Sequence, residues 1–188
     1  MSKVLIVKNK IKKFNKKINV SGDKSLSIRF VLIASQAVGK SKAYNLLMSE
    51  DVLAAIDSVK KLGIKVLINK NNCEVYGCGI NGFNYKKNLT LNAKNSGTLG
   101  RLLLGLLIKS PQKIKLIGDK SLSKRDFSRI TTPLKKFGAK FYHKKINKLP
   151  LSILGSEFVE GIKYLENKGS AQCKSSVMLA ALNASGTT

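Results

Sequence analysis

Histidine and cysteine are scarce enough to exclude much site chemistry. His143 is the only histidine, and Cys73, Cys78 and Cys173 are the only cysteines. Three cysteines make an odd number without a disulfide framework, so a reducing cytoplasm is the expected setting. Cys73 and Cys78 have no partnering Cys or His pair, so no zinc site can be assembled from them. Long apolar runs are also missing. The longest, Leu102 to Ile108, has seven residues and includes a glycine, far short of a bilayer span. The opening Met1-Ser2-Lys3-Val4-Leu5-Ile6-Val7 holds too short an apolar stretch for a secretory signal and has no small-residue cleavage site.

Acidic residues are few: 10 Asp and Glu stand against 35 Lys and Arg, a formal net charge of +25. Such a balance raises nucleic-acid binding as a reading. The lysines are scattered over every segment, however, and only Arg29, Arg101, Arg125 and Arg129 are arginine. Groove readers and phosphate clamps favour the rigid arginine fork. Dispersed lysine reads as a solvated surface. A lysine-rich nucleic-acid-binding protein is kept as the minor alternative, with adhesion to polyanions at low salt expected either way. A length of 188 residues and 43% hydrophobic content suit one globular domain with a real core.

The strongest internal signal is a repeat. Residues 22–29 read GDKSLSIR and residues 118–125 read GDKSLSKR, matching at seven of eight positions. Three stretches read as helices buried on nearly every side: Lys24–Val38, Ser96–Lys109 and Ser170–Ala184. Two amphipathic helices lie between them. In Glu50–Leu62 the residues Val52, Ile56 and Val59 share a face, with Ser49 as cap and Gly63 at the end. In Asp126–Phe137 the face is Phe127, Ile130, Leu134 and Phe137, ending at Gly138, with Pro133 expected to kink the helix or mark a late start. Alternating or β-rich runs predict strands at Lys16–Ser21, Lys42–Leu46, Ile64–Ile68, Cys73–Tyr76, Leu89–Asn92, Lys113–Gly118, Ala139–His143 and Leu149–Leu154. The repeating unit is therefore β-α-β-α-β-β in an α/β chain. Units are expected at about 16–80 and 88–155, with a third at 158–188 that stops after one helix.

Two phosphate-loop patterns fail on context. Gly77-Cys78-Gly79-Ile80-Asn81-Gly82 fits G-x-G-x-x-G, but the following Phe83-Asn84-Tyr85-Lys86-Lys87-Asn88 does not read as a helix. Gly39-Lys40-Ser41 has Ala34 where a P-loop needs its first glycine, and it follows a helix instead of a strand.

The starts of the three buried helices carry the chemistry. They read Gly22-Asp23-Lys24-Ser25-Leu26-Ser27-Ile28-Arg29, Asn95-Ser96-Gly97-Thr98-Leu99-Gly100-Arg101 and Lys168-Gly169-Ser170-Ala171-Gln172-Cys173-Lys174. A helix amino terminus offers unpaired N–H groups and a positive dipole end to anions. Ser25 and Arg29 share a helical face, with Lys24 beside them, and Gly97 lets backbone approach a ligand closely. Any one of these motifs could be a plain helix cap. Three on equivalent helices, with Arg29, Arg101 and Arg125 retained in a lysine-rich chain, point to bidentate anion recognition. Arg129 reads as an exposed residue.

These motifs resemble those of the EPSP synthase family. GDKSLSIR is similar to the family's G-[DS]-K-S-[IVL]-S-x-R signature, and NSGTLGRLLLGLL to its N-[AS]-G-T-x-x-R segment. GDKSLSKRDFSRITTPLKKFGAKF and SAQCKSSVMLAALNASGTT resemble two more, in the family's order, over residues 16–188. Asp126 stands where the family commonly has proline, and Leu99-Gly100 replaces a more usual Thr-x. The resemblance implies an enolpyruvyl transferase-type fold, an inside-out α/β barrel of β-α-β-α-β-β units, three per domain in two domains. Residues 1–15 would then form an amino-terminal strand belonging to the second domain, and 16–188 an incomplete first domain. It implies a shikimate-pathway transferase moving the enolpyruvyl group of phosphoenolpyruvate to shikimate 3-phosphate, without a cofactor, metal or membrane. The implied whole enzyme is monomeric, and the 188-residue piece is expected to be inactive alone. By the same resemblance Lys24 touches both substrates and takes the catalytic role. Ser25, Arg29, Ser170, Ala171 and Gln172 bind shikimate 3-phosphate. Gly97, Arg125 and Gln172 contact phosphoenolpyruvate, and Asn95 and Arg101 support the site. Glyphosate, the family's inhibitor, is expected to bind beside Gly97. The related transferase acting on UDP-N-acetylglucosamine fits less well, because its first motif has Lys-Asn where this chain has Lys24-Ser25.

Overall fold

The computed structural model describes residues 4–80 and 82–188. Its elements run α1 (Lys24–Ala34), β1 (Val38–Ala43), α2 (Glu50–Lys61), β2 (Lys65–Asn69), β3 (Asn72–Cys78) and β4 (Thr90–Asn92). They continue with α3 (Gly97–Leu106), β5 (Ile114–Ile117), α4 (Ser128–Lys136), β6 (Lys140–His143), β7 (Leu151–Leu154) and α5 (Ala171–Ala181).

Two sheets repeat one plan. The second has strand order β4-β5-β7-β6, with β4 and β5 parallel and the other pairs antiparallel. The first has order β1-β3-β2, all antiparallel. It is the same sheet lacking the strand that corresponds to β4. The sequence placed that strand at Lys16–Ser21, but the structure forms none there. Ile18 and Val20 face solvent at 69% and 71% exposure, so no burial offsets the entropy of ordering the segment. No strand forms over residues 4–15 either. Residues 1–3 of that expected amino-terminal strand lie outside the described residues. Glu160 and Ser185 form a parallel bridge around α5, as β4 and β5 do around α3.

Of the three central helices, α3 alone is buried nearly all round. Leu99, Leu102, Leu103 and Leu104 are at most 1% exposed, and each such side chain contributes roughly 1.5–3 kcal/mol. Helices α1 and α5 flank it and each keeps an outer face in solvent, with Leu26, Ile33 and Met178 more than half exposed. The near-complete burial read for all three therefore holds only for the middle one. Helix α1 also ends at Ala34, because Val38 already belongs to β1. At Gly105, α3 meets α5 backbone to backbone: an added Cβ would lie 2.2 Å from the Ser176 carbonyl oxygen.

The amphipathic helices α2 and α4 cover this layer. Ser49 sits at the N-cap of α2 in extended geometry, but its hydroxyl makes no capping bond. Helix α4 starts late, at Ser128, and carries Pro133 inside it. No helix of the described residues is long and apolar enough to cross a membrane.

Candidate functional site

The amino termini of the three central helices are built alike. Asp23 Oδ1 accepts the Leu26 N–H at 2.7 Å, Ser96 Oγ the Leu99 N–H at 3.3 Å, and Ser170 Oγ the Cys173 N–H at 3.3 Å. The structural register therefore sets Asp23 against Ser96 and Ser170. In this register the first two residues of the three helices are Lys24 and Ser25, Gly97 and Thr98, Ala171 and Gln172. Each pair sits where N–H groups lack helical partners and the dipole is positive.

A cavity of about 400 Å3 opens on these termini, lined by Lys24, Glu50, Asp51, Asn95, Gly97, Thr98, Arg125 and Gln172. Five predicted site residues thus meet in one place: Lys24, Asn95, Gly97, Arg125 and Gln172. Arg125 Nη2 donates to Asn95 Oδ1 at 3.2 Å, fixing the fork beside Gly97. Arg101 lies behind the wall. It stacks over the Phe127 ring at 5.3 Å and its Nη1 donates to Gly97 O at 3.2 Å and Gln172 Oε1 at 2.8 Å. Gln172 Nε2 donates to Thr98 Oγ1 at 3.0 Å, so both ends of this amide are committed and its orientation is set. Burial, with Arg125 and Arg129 nearby, pulls the Arg101 guanidinium below its ordinary value.

Ser25, Arg29, Ser170 and Ala171 do not line this cavity. Arg29 Nη1 donates to Ser25 O at 3.3 Å and Nη2 to Ser175 Oγ at 3.4 Å, which ties α1 to α5 one turn beyond Ala171. Ser170 acts as a cap.

Three wall residues were not read from the sequence. Asp51 Oδ2 pairs with Lys24 Nζ at 3.1 Å. Glu50 is its neighbour at the start of α2. Thr98 holds Gln172. Thr98 could have been found by registering the three motifs on their caps. Asp51 belongs to a different helix, and no local signal brings it to Lys24. Arg129, read as a plain exposed residue, is paired with Glu166. Among the described residues no group of three or more His, Cys, Asp or Glu could hold a metal ion.

The chain is similar to known proteins along most of its length. The family model described as EPSP synthase (3-phosphoshikimate 1-carboxyvinyltransferase) matches residues 8–188. A 3-phosphoshikimate 1-carboxyvinyltransferase of Streptococcus pyogenes serotype M1 is 41% identical over 91% of this chain and 40% of its own length. The Bacillus subtilis protein of that name is 37% identical over 96% of this chain and 42% of its own. A solved EPSP synthase from Acinetobacter baumannii superposes with a TM-score of 0.85 at 34% identity, covering 92% of this chain and 40% of that one. The chain therefore spans about 40% of the length of the curated relatives it matches. On the match of residues 8–188 and on the shared fold, the chain belongs to the EPSP synthase family.

Proposed function

We propose that the chain contributes the shikimate 3-phosphate side, and part of the phosphoenolpyruvate side, of an enolpyruvyl-transfer site. The single observation that carries this reading is the cavity holding Lys24, Asn95, Gly97, Arg125 and Gln172 at the convergence of three helix amino termini. Both substrates are anionic, and bringing them together requires cations and oriented N–H groups to offset their repulsion. Lys24 and Arg125 supply charge within the cavity, and Gln172, locked by Arg101 and Thr98, presents a fixed amide. Arg29, Ser25, Ser170 and Ala171 form the adjoining rim for the phosphate of shikimate 3-phosphate.

In the reaction the 5-hydroxyl of shikimate 3-phosphate gives up its proton to a base and attacks C2 of phosphoenolpyruvate as the methylene takes a proton from an acid. The tetrahedral intermediate then loses a methyl proton and expels phosphate, which restores the double bond of the enolpyruvyl group. Lys24 is placed to steady the charge that develops between the substrates. Proton transfers of this kind use positioned acid–base groups. The resemblance assigns the principal carboxylates to a second domain, so the 188 residues alone bind but do not turn over. Glyphosate binds beside Gly97 in this reading. The complete enzyme is read as a cytoplasmic monomer.

Titration calorimetry with shikimate 3-phosphate tests the reading. Saturable one-to-one heat that Lys24→Ala abolishes is expected. Absence of any heat, or phosphate release from both substrates by the chain alone, would overturn the corresponding part.

A further inference from the structure

Past Tyr164, whose side chain packs against the core, the segment entering α5 has little apolar anchorage of its own. Leu165 is 80% exposed, and Asn167, Lys168 and Gly169 face solvent. Yet this segment delivers Ser170 and Gln172. What fastens it is polar. Arg129 Nη2, on α4, pairs with Glu166 Oε1. The Tyr164 hydroxyl donates to Glu166 Oε2. The Lys168 N–H donates to Glu166 Oε1 at 3.1 Å. Both carboxylate oxygens are thus engaged, and the Glu166 side chain is only 5% exposed. A carboxylate so withdrawn from water persists only with such partners. The other ion pairs of the described residues all lie within 24–74, inside the first repeating unit. Arg129–Glu166 is the one that joins the second unit to the third.

We propose that Arg129, Glu166 and Tyr164 form a polar clamp that positions the start of α5, so that Gln172 reaches Arg101 and Thr98 and faces the candidate site. The site half of this statement rests on the proposed function; the clamp itself does not. Arg129 lies four positions after Arg125 of the cavity wall. The Ser170 cap lies four positions after Glu166, with Gly169 turning the chain between them at φ +63°. The clamp therefore sets the distance between the two walls of the cavity, one carrying Arg125 and the other Gln172. These are positioning residues: none of the three lines the cavity.

The test compares the 188-residue chain with Glu166→Gln, Arg129→Met and the double reversal Arg129→Glu with Glu166→Arg. It follows backbone amide exchange and the Gln172 side-chain amide signals by NMR. In each single variant, exchange at residues 168–173 is expected to rise about tenfold or more, as loss of a charged hydrogen bond permits local opening. The Gln172 signals shift, and protection in α1 and α2 stays unchanged. The double reversal restores the ion pair and recovers part of the protection, since an arginine at 166 has no acceptor for the Tyr164 hydroxyl or the Lys168 N–H. Unchanged exchange at 168–173, a uniform loss over the whole chain, or no recovery in the double variant would each overturn the clamp. A wild-type chain with ordered Gln172 that takes up no shikimate 3-phosphate would count against the proposed function and leave the clamp standing.

Discussion

Lys24 pairs its charge with Asp51. The pair is 3.1 Å apart with the lysine side chain 52% exposed, so solvent screens it and its worth is about 0–1 kcal/mol. So weak a partner yields readily to a dianion. Asp51→Asn is therefore expected to tighten shikimate 3-phosphate binding severalfold in calorimetry, with a stability change under about 1 kcal/mol. Weaker binding in that variant would show instead that Asp51 holds Lys24 in its working place. Gly97 poses a different question. An added Cβ would lie 2.5 Å from Arg101 Nη1 and 3.0 Å from Arg125 Nη1. The Arg101 fork is held by Gly97 O, Gln172 Oε1 and the Phe127 ring, so it cannot move without loosening them. Gly97→Ala should then lower the thermal midpoint modestly, displace both forks and weaken anion binding about tenfold or more. Intact binding in that variant would contradict the account.

At the scale of elements, close packing sets the sharpest expectation. With the Ser176 carbonyl 2.2 Å from a notional Cβ on Gly105, Gly105→Ala must part α3 from α5. Overpacking of this kind costs about 1–3 kcal/mol, measurable as an earlier denaturant midpoint with unchanged slope. That contact was not legible in the sequence, since it depends on two backbones far apart in the chain. The amphipathic helices were legible, because Val52, Ile56 and Val59 or Ile130 and Leu134 recur at helical spacing and are buried. Strand β1 was placed four residues late, since Val38–Ala43 (VGKSKA) carries no useful alternation and Val38 is itself 91% exposed. The octapeptide repeat shows how identical residues diverge. Asp119 Oδ1 accepts the Leu122 N–H at 2.7 Å, just as Asp23 accepts that of Leu26. After the first copy come Phe30, Val31 and Leu32, and a helix continues. After the second, Arg125 turns extended, and Asp126 Oδ1 takes the Ser128 N–H at 2.7 Å to start α4. A short polar side chain bonding the nearby backbone thus opens the next helix. Lys24, Gly97 and Arg125 could be singled out because charge and helix termini are local features, whereas Asn95 and Gln172 came from the family resemblance. The Arg29–Ser175 and Arg129–Glu166 ties were not, since each joins separate units.

Across the whole molecule the net charge of +25 acts on every polyanion, whereas the cavity presents Lys24 and Arg125 only to what fits between its walls. Salt separates the two. Surface lysines in water are screened beyond about 8 Å at physiological ionic strength. Nucleic acid held by six to ten phosphate contacts loses about 10³–10⁵ in affinity between roughly 50 and 200 mM salt. Lys24 and Arg125 act at contact range inside a walled site, together with Gln172 and helix N–H groups that carry no mobile counterions. Shikimate 3-phosphate affinity should therefore fall by less than about tenfold over the same change. The free chain should meanwhile gain thermal stability as salt relieves its self-repulsion. Both affinities can be read in one fluorescence-anisotropy and calorimetry series at matched salt. Parallel collapse of the two would mean that the cavity is no more than one part of a diffuse basic surface. Divergence would mean that the three helix termini, and not the lysine-rich exterior, select the ligand.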